Sequence, residues 1–514
     1  MKKIVSLLLC FVMAYGMCAC GGPHPNSGNS GGGGDSLSGP PDKSELDLSG
    51  KLIIKSMNKG YGTSALEAIA DAYMKENQEA TIQIKPEGDI PSVVANELGL
   101  GADKNDTDIY FGASINFAEY YMDMMMNKFG ASSLLLDLTD FMANWLTYDE
   151  QNKMGEIIDA GLISMLSIAD KEDDSIQRIF SLPWAGGACG LVYNADIFAE
   201  VGVEPPETTD ELLALMDEFI KYNASHPDKT PIMPIIYAGA NAMVYWQYLT
   251  YVWWAQYEGY DQFMKYWTLT DGDPFDPNKD YIVQEGQLEA MKVSEKLIRG
   301  EYVYKAAEGL TDEIAEKYFI KGDDTYRFAM MPNGDWFENE AKSYVGEVPD
   351  SFKMMKTPKL SSAVTKYKGV NNVPDYAYTL ASTHNVFIPS YTREKDLALD
   401  FLSFYYSETG AKIFYEHTGA FLPRTNYDYL STADRNKMTK FKQSELELIE
   451  TVDFVFTAEY KSPVRYFGGL PIIPDGKATP EKMMMEGKSA QTVWEEYNAF
   501  FKSGWNGFLD NAGI

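Results

Sequence analysis

Residues 181–212 read SLPWAGGACGLVYNADIFAEVGVEPPETTDEL and indicate the fold class of this chain. Its apolar residues 190–193 predict a buried strand, and a helix is expected to begin near Asn194. Prolines then fix a turn, after which Thr208 and Glu211 have the spacing of a helix-capping box. The buried face of that second helix is predicted to consist of Leu212, Leu215, Met216, Phe219 and Ile220. A strand followed by helices in this order is typical of an α/β protein.

The preceding part of the chain alternates strands and helices in the same way. Its predicted strands are residues 52–54, 81–84 and 108–112. One face of the first intervening helix is formed by Leu66, Ile69, Ala70 and Tyr73. Crossover helices between such strands favour a parallel sheet. Ligands collect beyond the carboxyl ends of parallel strands, which here are the loops at residues 58–63 and 112–116.

As a sequence, residues 181–212 resemble the signature of family 1 extracellular solute-binding proteins, the sugar-binding subunits of ATP-binding-cassette (ABC) importers. Thr209 stands where that family normally has tryptophan. Later segments of the chain resemble further motifs of the family, in the same order. These segments are residues 319–322, 329–336, 385–389, 397–402, 418–423 and 487–497. The resemblance therefore covers nearly the whole chain beyond its N-terminal segment.

The resemblance implies a two-lobed α/β fold of the periplasmic-binding-protein-like type II class, with a hinge and an inter-lobe ligand cleft. By alignment of the motifs, lobe 1 comprises residues 45–190 and 386–450, and lobe 2 comprises residues 191–385 and 451–514. Closure of the lobes would trap a carbohydrate, in particular an oligosaccharide, and present it to the permease of an importer. We expect a monomeric binder that carries out no chemistry and needs no cofactor or metal.

The N-terminus begins with MKK and continues with an apolar run from Ile4 to the sequence Ala19-Cys20. The run is shorter than the roughly 20 apolar residues of a membrane-spanning helix, and so it indicates an export signal. Residues 1–20 resemble a bacterial lipoprotein signal peptide, in which Cys20 becomes the acylated first residue of the mature protein. The alternative is an ordinary secretory signal whose cleavage site contains cysteines.

Residues 21–44 are rich in Gly, Ser and Pro and show no apolar periodicity, which predicts a flexible tether. As a coil of about 25 residues, this tether would have a root-mean-square reach of roughly 25–30 Å. With a lipid on Cys20, the tether would hold the folded part of the protein at the extracytoplasmic face of the cell membrane.

Net charge restricts the partners of the protein, and its length and cysteine content restrict its architecture. The chain of 514 residues has a formal net charge of −31, which argues against nucleic-acid partners and against direct adsorption to anionic lipid. The segment after the tether is too long for a single hydrophobic core and fits two lobes. Cys189 is the only cysteine beyond Cys20, so the folded part cannot form an internal disulfide.

Residue types suggest how the cleft would bind a sugar. A sugar presents a face of C–H bonds and a rim of hydroxyl groups, so its binder needs flat aromatic surfaces and polar side chains. Trp336 is the first candidate because it matches the cleft aromatic of the family. The neighbouring Asp335 and Asn333 are predicted to address hydroxyl groups. The alternative for Trp336 is a core position, which is usual for large aromatic residues.

Further candidates have two interpretations each. Trp184 precedes a glycine-containing segment and is predicted either to line the cleft or to pack at the hinge. Tyr61 lies on the loop after the first strand, where ligand contact and a solvent position are both plausible. Trp246 and Trp253 belong to an aromatic-rich helix, some of whose rings must be core. Arg424 is predicted either to bind hydroxyls or a carboxylate, or to form a surface ion pair.

Catalytic interpretations find little support in the sequence. None of the four histidines has metal-ligand spacing with another histidine or with Cys189. The alternatives are a binder of a peptide or another small solute on the same scaffold, and a membrane-tethered glycosidase. Iron binding would use the pairs Tyr120-Tyr121 and Tyr405-Tyr406. Adjacent residues of a helix point about 100° apart, however, so neither pair would converge on one ion by itself.

Overall fold

The computed structural model describes residues 40–512, apart from residues 59, 89, 114–133, 150–151, 159, 170–175, 241–242, 269–281, 300, 381–384 and 459–478. The predicted signal peptide with Cys20 and most of the predicted tether lie outside the described residues. The same holds for the Tyr120-Tyr121 pair and for part of the predicted loop at residues 112–116.

The strands of the described residues form two larger sheets and a small antiparallel pair. They are β1 (Gly50–Met57), β2 (Ala80–Glu87), β3 (Ile109–Ala113), β4 (Ser167–Ala169), β5 (Gln177–Ile179), β6 (Leu182–Pro183), β7 (Cys189–Asn194), β8 (Ile232–Ile235), β9 (Arg327–Gly334), β10 (Phe352–Met355), β11 (Tyr376–Tyr378), β12 (Asn385–Phe387) and β13 (Phe454–Phe456).

Helices separate and follow these strands. They are α1 (Ser64–Glu76), α2 (Ile90–Leu98), α3 (Thr139–Asn144), α4 (Met154–Ile157), α5 (Ala160–Leu166), α6 (Ala195–Val201), α7 (Thr209–Ser225), α8 (Gln247–Glu258), α9 (Tyr260–Thr268), α10 (Glu285–Arg299), α11 (Asp312–Lys321), α12 (Phe337–Val345), α13 (Ser361–Lys366), α14 (Lys395–Tyr405), α15 (Glu408–Thr418), α16 (Thr432–Lys437), α17 (Lys440–Thr451), α18 (Pro480–Met485) and α19 (Ala490–Ala512).

The first sheet has the strand order β2-β1-β3-β12-β6. Strand β1 runs parallel to β2 and β3, with Ile54 opposite Ile84 and Ile109, which confirms the three predicted strands and their parallel arrangement. Strand β12 is antiparallel to both β3 and β6. Helices α1, α14 and α15 bury their apolar faces here, and Ile69 and Phe401 share a core with Ile54. This sheet and its helices form the first lobe.

The second sheet has the order β13-β11-β7-β9-β8, with β10 also paired to β7. Strand β7 is antiparallel to β9, whereas β8 runs parallel to β9. Helices α7, α8, α10 and α19 pack around a core that includes Leu191 of β7 and Met330 of β9. This sheet and its helices form the second lobe, so the described residues have the α/β architecture with two lobes that the sequence predicts.

The sequence stretch at residues 181–212 folds locally as its pattern predicts. The Asn194 side chain accepts hydrogen bonds from two backbone N–H groups at the start of α6. Thr208 and Glu211 form a reciprocal capping box at the start of α7. Of the predicted apolar face of α7, Ile220 is half-buried, and the buried members are Leu212, Leu215, Met216 and Phe219. Caps of this kind satisfy backbone donors that a helix end leaves open.

The chain passes from the first lobe to the second through residues 184–188. The backbone N–H of Gly186 donates to the Phe421 carbonyl at 2.7 Å. The Tyr405 hydroxyl of α14 donates to the Trp184 carbonyl at 2.9 Å, in a fully buried position. The start of this crossing segment is therefore fixed to the first lobe by hydrogen bonds on two sides.

Helix α17 packs on the second sheet, although residues up to 450 are predicted for lobe 1. The Ser444 hydroxyl accepts a hydrogen bond from the Met354 N–H of β10 at 2.9 Å. Phe441 and Leu448 share a buried core with Phe352. The chain thus enters the second lobe before α17, because the apolar face of α17 is buried against β10. The other predicted boundaries stay predictions.

The C-terminal helix α19 closes the second lobe. Its residues Val493, Tyr497, Phe501 and Trp505 recur every four positions and are buried, which is the pattern of a helix with one apolar stripe. The exposed positions between them include the charged residues Glu495 and Lys502. None of the helices in the described ranges is long and apolar enough to cross a membrane.

We expect Gly186→Ala to destabilise the protein, because a Cβ at this position would lie 2.7 Å from the Pro423 Cα and 2.8 Å from its backbone nitrogen. Overpacking against backbone atoms typically costs about 1–3 kcal/mol. Gly309→Ala is the matched control, since nothing lies within 4 Å of a Cβ there. Thermal unfolding should show a lower Tm for Gly186→Ala and a nearly unchanged Tm for the control. Equal Tm values would contradict this packing.

Candidate ligand-binding site

Two loops from different lobes meet at the carboxyl ends of their strands. The turn at residues 60–62 follows β1, and the turn at residues 334–336 follows β9. The Tyr61 hydroxyl donates to Asp335 Oδ2 at 2.5 Å. The Asn339 side chain donates to the Gly60 carbonyl at 2.6 Å. These two hydrogen bonds, which we call the inter-lobe contact, join the loop of the first lobe to the second lobe.

Glycine residues shape both turns. Gly60 and Gly62 have φ values of 64° and 67°, a left-handed conformation that other residues rarely adopt. They allow the chain to reverse tightly on either side of Tyr61. At the other turn, a Cβ on Gly334 would lie 2.3 Å from the Trp336 ring. Glycine is therefore required there so that the Trp336 side chain can fold back over the end of β9.

Tyr61 is supported by aromatic rings of the first lobe. Its ring packs edge-on against Trp184, with ring centroids 5.0 Å apart, and lies 5.6 Å from Phe414. Trp184 is only 2% exposed, and a Cβ on Gly112 would come within 2.9 Å of its ring. Of the two interpretations of Trp184, packing at the hinge is the one that this geometry favours.

Asp335, Lys442 and Glu445 form a buried charge cluster at the turn after β9. The three residues are 4%, 2% and 0% exposed. The Lys442 ammonium donates to the Asp335 backbone carbonyl at 2.6 Å and to Glu445 Oε2 at 2.8 Å. Glu445 Oε1 has no hydrogen-bond partner within the described part of the chain. One buried cation thus faces two buried carboxyl groups.

The electrostatics of this cluster favour protonation of its carboxyl groups. Burial raises the pKa of Asp335, and the charge of Glu445 raises it further, while Lys442 and the Tyr61 hydroxyl act in the opposite direction. Burial also raises the pKa of Glu445 against the opposing effect of Lys442. A low-dielectric site with one ammonium group cannot fully compensate two carboxylates. Because its pKa is raised, the Asp335 carboxyl group takes up a proton at a higher pH than an exposed aspartate does.

Trp336 remains half-buried beside other aromatic residues of the second lobe. Its ring centroid lies 5.9 Å from that of Tyr245 and 6.2 Å from that of Tyr248. Tyr245 and Tyr248 stack on each other, with centroids 5.1 Å apart, and Tyr248 stacks on Tyr378 in turn. Trp336 and Tyr245 are the partly exposed members of this group. They are the aromatic surface that lies next to the inter-lobe contact.

Asn333 lies in the interior of the second lobe instead of beside Asp335 at the inter-lobe contact. It is fully buried, and its amide nitrogen donates to Glu316 Oε1 of α11 at 2.8 Å. Its amide oxygen accepts from the Gly334 N–H at 2.8 Å. The polar atoms of Asn333 are thus used within the second lobe. Its place differs from the sequence prediction because Asn333 still belongs to the buried strand β9, whereas Asp335 begins the turn.

Three other candidates also lie away from the inter-lobe contact. Trp246 and Trp253 are 0% exposed in the core of the second lobe, where the Trp253 indole donates to the Pro358 carbonyl at 2.8 Å. Arg424 is 5% exposed and donates to the Tyr406 carbonyl. It lines a separate groove of about 430 Å³ that also includes residues 186–187. These placements correspond to the core interpretation of both tryptophans and to a structural use of Arg424.

The tyrosine pair that suggested iron has no free hydroxyl group. Tyr405 and Tyr406 are both 0% exposed, and their hydroxyls donate to the carbonyls of Trp184 and Pro183 at 2.9 and 2.7 Å. Among the described residues, no group of three or more His, Cys, Asp or Glu side chains could hold a metal ion. The described part of the site therefore offers aromatic rings, a carboxyl group and amides.

Three contributors to the site were missed by the sequence prediction, namely Asn339, Lys442 and Glu445. In the sequence, Lys442 and Glu445 look like an exposed i,i+3 ion pair on a helix surface. One signal pointed the other way: Phe441, Glu445 and Leu448 follow the i, i+4, i+7 spacing of a single helix face. Glu445 therefore shares the apolar face of α17.

We expect Asp335→Asn to change the pH dependence of stability. Because the folded-state pKa of Asp335 is raised, its contribution to stability is largest at low pH and is lost as the pH rises through that pKa. The Tm of the wild type minus that of Asp335→Asn should therefore fall between about pH 4 and about pH 7. The exposed Asp103 provides the control substitution Asp103→Asn. A difference that is constant with pH would contradict the raised pKa.

Solved structures of solute-binding proteins share this architecture. RafE from Streptococcus pneumoniae, in its apo form, aligns with a TM-score of 0.58 and 15% identity over 89% of this chain and 99% of that one. Maltose-bound MalE3 of T. maritima gives 0.55 and 15%, over 88% and 99%. The GacH receptor of Streptomyces glaucescens gives 0.57 and 13%, over 90% and 99%. These likenesses confirm the predicted two-lobed, periplasmic-binding-protein-like fold.

The sequence comparison with protein families gives a more specific result. No curated protein sequence matches the chain. The family model described as bacterial extracellular solute-binding protein matches residues 59–412, which is more than half of the chain. The match includes the turn at Tyr61, the segment at residues 181–212 and the turn at Trp336. The chain therefore belongs to the bacterial extracellular solute-binding protein family.

Proposed function

We propose that this protein captures a carbohydrate, in particular an oligosaccharide, between its two lobes and delivers it to the permease of an ABC importer. It acts by lobe closure as a monomer and carries out no chemistry on the ligand. Membership of an extracellular solute-binding family implies an extracytoplasmic location. The proposal extends that membership to a ligand class, a partner and a mode of action.

The observation that carries the proposal is the meeting of Tyr61 and Asp335 from opposite lobes beside the half-buried Trp336. An aromatic ring suits the C–H face of a sugar, and a carboxyl group accepts hydrogen bonds from its hydroxyls. Similarly folded proteins have been solved with raffinose, with maltose and with acarbose. The chemistry of this site and the ligands of those proteins support the same ligand class.

The inter-lobe contact is weak enough for a ligand to control the balance between the open and closed states of the two lobes. Two hydrogen bonds join the loops, at 2.5 Å and 2.6 Å. A single hydrogen bond contributes a net free energy of about 0.5–1.5 kcal/mol, and one to a charged group about 1.5–3 kcal/mol. Opening therefore costs only a few kcal/mol at this contact. A ligand that binds both loops shifts the population toward the closed state by its differential affinity for the two states.

The proposed division of the chain follows the packing of the elements. Lobe 1 comprises residues 45–188 and the segment from residue 385 to the start of α17. Lobe 2 comprises residues 189–384 and the chain from α17 to residue 514. Lys442 on α17 binds the Asp335 carbonyl, so α17 moves with the second lobe when the lobes open.

We also propose that the protein is anchored in the cell membrane by lipid on Cys20, after cleavage of the lipoprotein signal peptide between Ala19 and Cys20. Residues 21–44 then serve as the tether between the membrane and the folded part. A tethered binder remains close to the permease of its importer, where its ligand has to be delivered.

We expect oligosaccharides to stabilise the protein in a thermal-shift screen, with monosaccharides, short peptides and ferric citrate on the same plate. A ligand at a hundred times its Kd adds about 2.7 kcal/mol of stability. Shifts with one glycan class support the proposal. Shifts only with peptides or iron would overturn the carbohydrate assignment and keep the clamp. Hydrolysis of a chromogenic glycoside would instead favour the tethered glycosidase.

The Trp336→Ala variant tests the site within the same experiment. Loss of the aromatic surface should weaken binding of the identified sugar by more than about 1.5 kcal/mol, or roughly tenfold in Kd. Trp494→Ala is a matched control, because Trp494 is also half-buried in the second lobe and its indole donates to the Gln284 carbonyl of a different region. A folded Trp336→Ala protein with wild-type affinity would remove Trp336 from the site.

We expect Cys20→Ser to release the protein from the membrane fraction, because a serine side chain cannot take the thioether-linked lipid. Cys18→Ser is the matched control, since Cys18 lies only two residues earlier and should leave the anchor intact. Cell fractionation and intact-mass spectrometry of the mature protein would measure both variants. A wild-type protein that is already absent from the membrane fraction and has an unacylated mass would favour an ordinary secretory signal.

A further inference from the structure

The helical layer of the second lobe contains a small, partly open cavity that is distinct from the inter-lobe contact. The cavity has a volume of about 40 Å³ and lies between α8, α9, α10, α18 and α19. A water molecule needs about 10–15 Å³ of such volume. The cavity therefore has room for only a few water molecules or one small ion, and it is far too small for a sugar.

Glu481 of α18 lines this cavity. Within the described chain, its carboxyl group is buried without a partner for one of its two oxygen atoms. It is 3% exposed, and its Oε2 has no hydrogen-bond partner among the residues that the structure describes. Burial raises the pKa of Glu481 to about 7, although its own backbone N–H and the Thr479 side chain lower it. An unpaired buried carboxylate is costly, so such a group normally binds a proton or a cation.

The remaining lining suits a positive ion. Gln247 and Gln287 are 7% and 9% exposed and both line the cavity. The cavity is otherwise lined largely by aromatic residues, which include Trp254, Tyr266 and others from α8, α9 and α19. The faces of such rings attract cations, and the attraction grows when water is excluded. Carboxylate, amide oxygens and ring faces all interact favourably with positive charge.

We propose that this cavity binds a small monovalent cation of the size of potassium or ammonium, with Glu481 as its counter-charge. The single carboxylate matches a single positive charge. Divalent ions generally take several carboxylate or imidazole ligands, and the described chain contains no group of three or more such side chains suited to a metal ion. The cation would join α18 to the helices of the second lobe and so stabilise that lobe.

The test compares the thermal unfolding of the purified full-length protein in potassium chloride, ammonium chloride and choline chloride at equal ionic strength. Choline is too large for a cavity of about 40 Å³ and controls for salt effects. At a tenfold excess over Kd, a cation that binds only the folded state changes the ratio of folded to unfolded protein roughly elevenfold. We expect potassium or ammonium to raise Tm above its value in choline, and the comparison between them identifies the preferred ion.

Glu481→Gln should abolish this cation-dependent shift, whereas Glu486→Gln, at an exposed position just after α18, should retain it. The shift should also be smaller at about pH 6 than at about pH 8, because a proton competes for a carboxyl group whose pKa is about 7. A wild-type Tm that is the same in all three salts would overturn the proposal, since the cavity would then hold water beside a neutral carboxylic acid. A cation shift that persists in Glu481→Gln would overturn it as well.

Crystals of the wild-type protein soaked in rubidium chloride give a readout that needs no variant. Rubidium resembles potassium in size and scatters anomalously, so an anomalous peak beside Glu481 would support the site. Crystals without a peak in the cavity would overturn the potassium arm, and a shift in ammonium alone would then assign the cavity to ammonium. If Glu481→Gln does not fold, the salt comparison and the rubidium soak on the wild type still decide the question.

Discussion

The buried ammonium group of Lys442 is the interaction on which the candidate site depends. It binds the Asp335 carbonyl and the Glu445 carboxylate at 2.6 and 2.8 Å, and it thereby fixes the turn after β9 to helix α17. That turn places both the Asp335 carboxyl and the Trp336 ring. A buried ion pair adds little net stability when both partners are desolvated, but loss of one partner leaves the other charge uncompensated. Lys442 thus determines the geometry of the site more than it determines the stability of the fold.

Different interactions support the two sides of the inter-lobe contact. The second-lobe side consists of a charge cluster held by an ammonium group. The first-lobe side consists of Tyr61, whose ring is packed against Trp184 and Phe414. Aromatic packing orients the Tyr61 hydroxyl without engaging its polar atom, so the hydroxyl is available to Asp335 or to a ligand. Each lobe therefore contributes one oriented polar group that is supported from within its own core.

Local pattern explains why much of the fold was predictable. The strands at residues 52–54 and 81–84 and the cap formed by Thr208 and Glu211 depend on neighbours in the sequence, and the structure has all of them. Burial of polar residues depends on distant elements instead. Asn333 faces Glu316 of α11, and Lys442 faces a turn more than a hundred residues earlier. Trp246 and Trp253 look like cleft candidates in sequence for the same reason, since composition does not reveal which helix will cover a ring.

Glycine residues in the crossing segment determine where the backbone turns when one lobe rotates against the other. Gly186 is held to the first-lobe side by its bond to the Phe421 carbonyl, whose neighbours Ala420 and Leu422 lie in the core of that lobe. Gly187, with φ of 139°, lies so close to the second lobe that a Cβ would be 2.5 Å from the Asp335 side chain. Gly186 is thus attached to the first lobe, and the next residue, Gly187, packs against the second lobe. Rotation of one lobe against the other at this crossing must therefore be absorbed by the torsions of Gly186 and Gly187, and it would separate Tyr61 from Asp335.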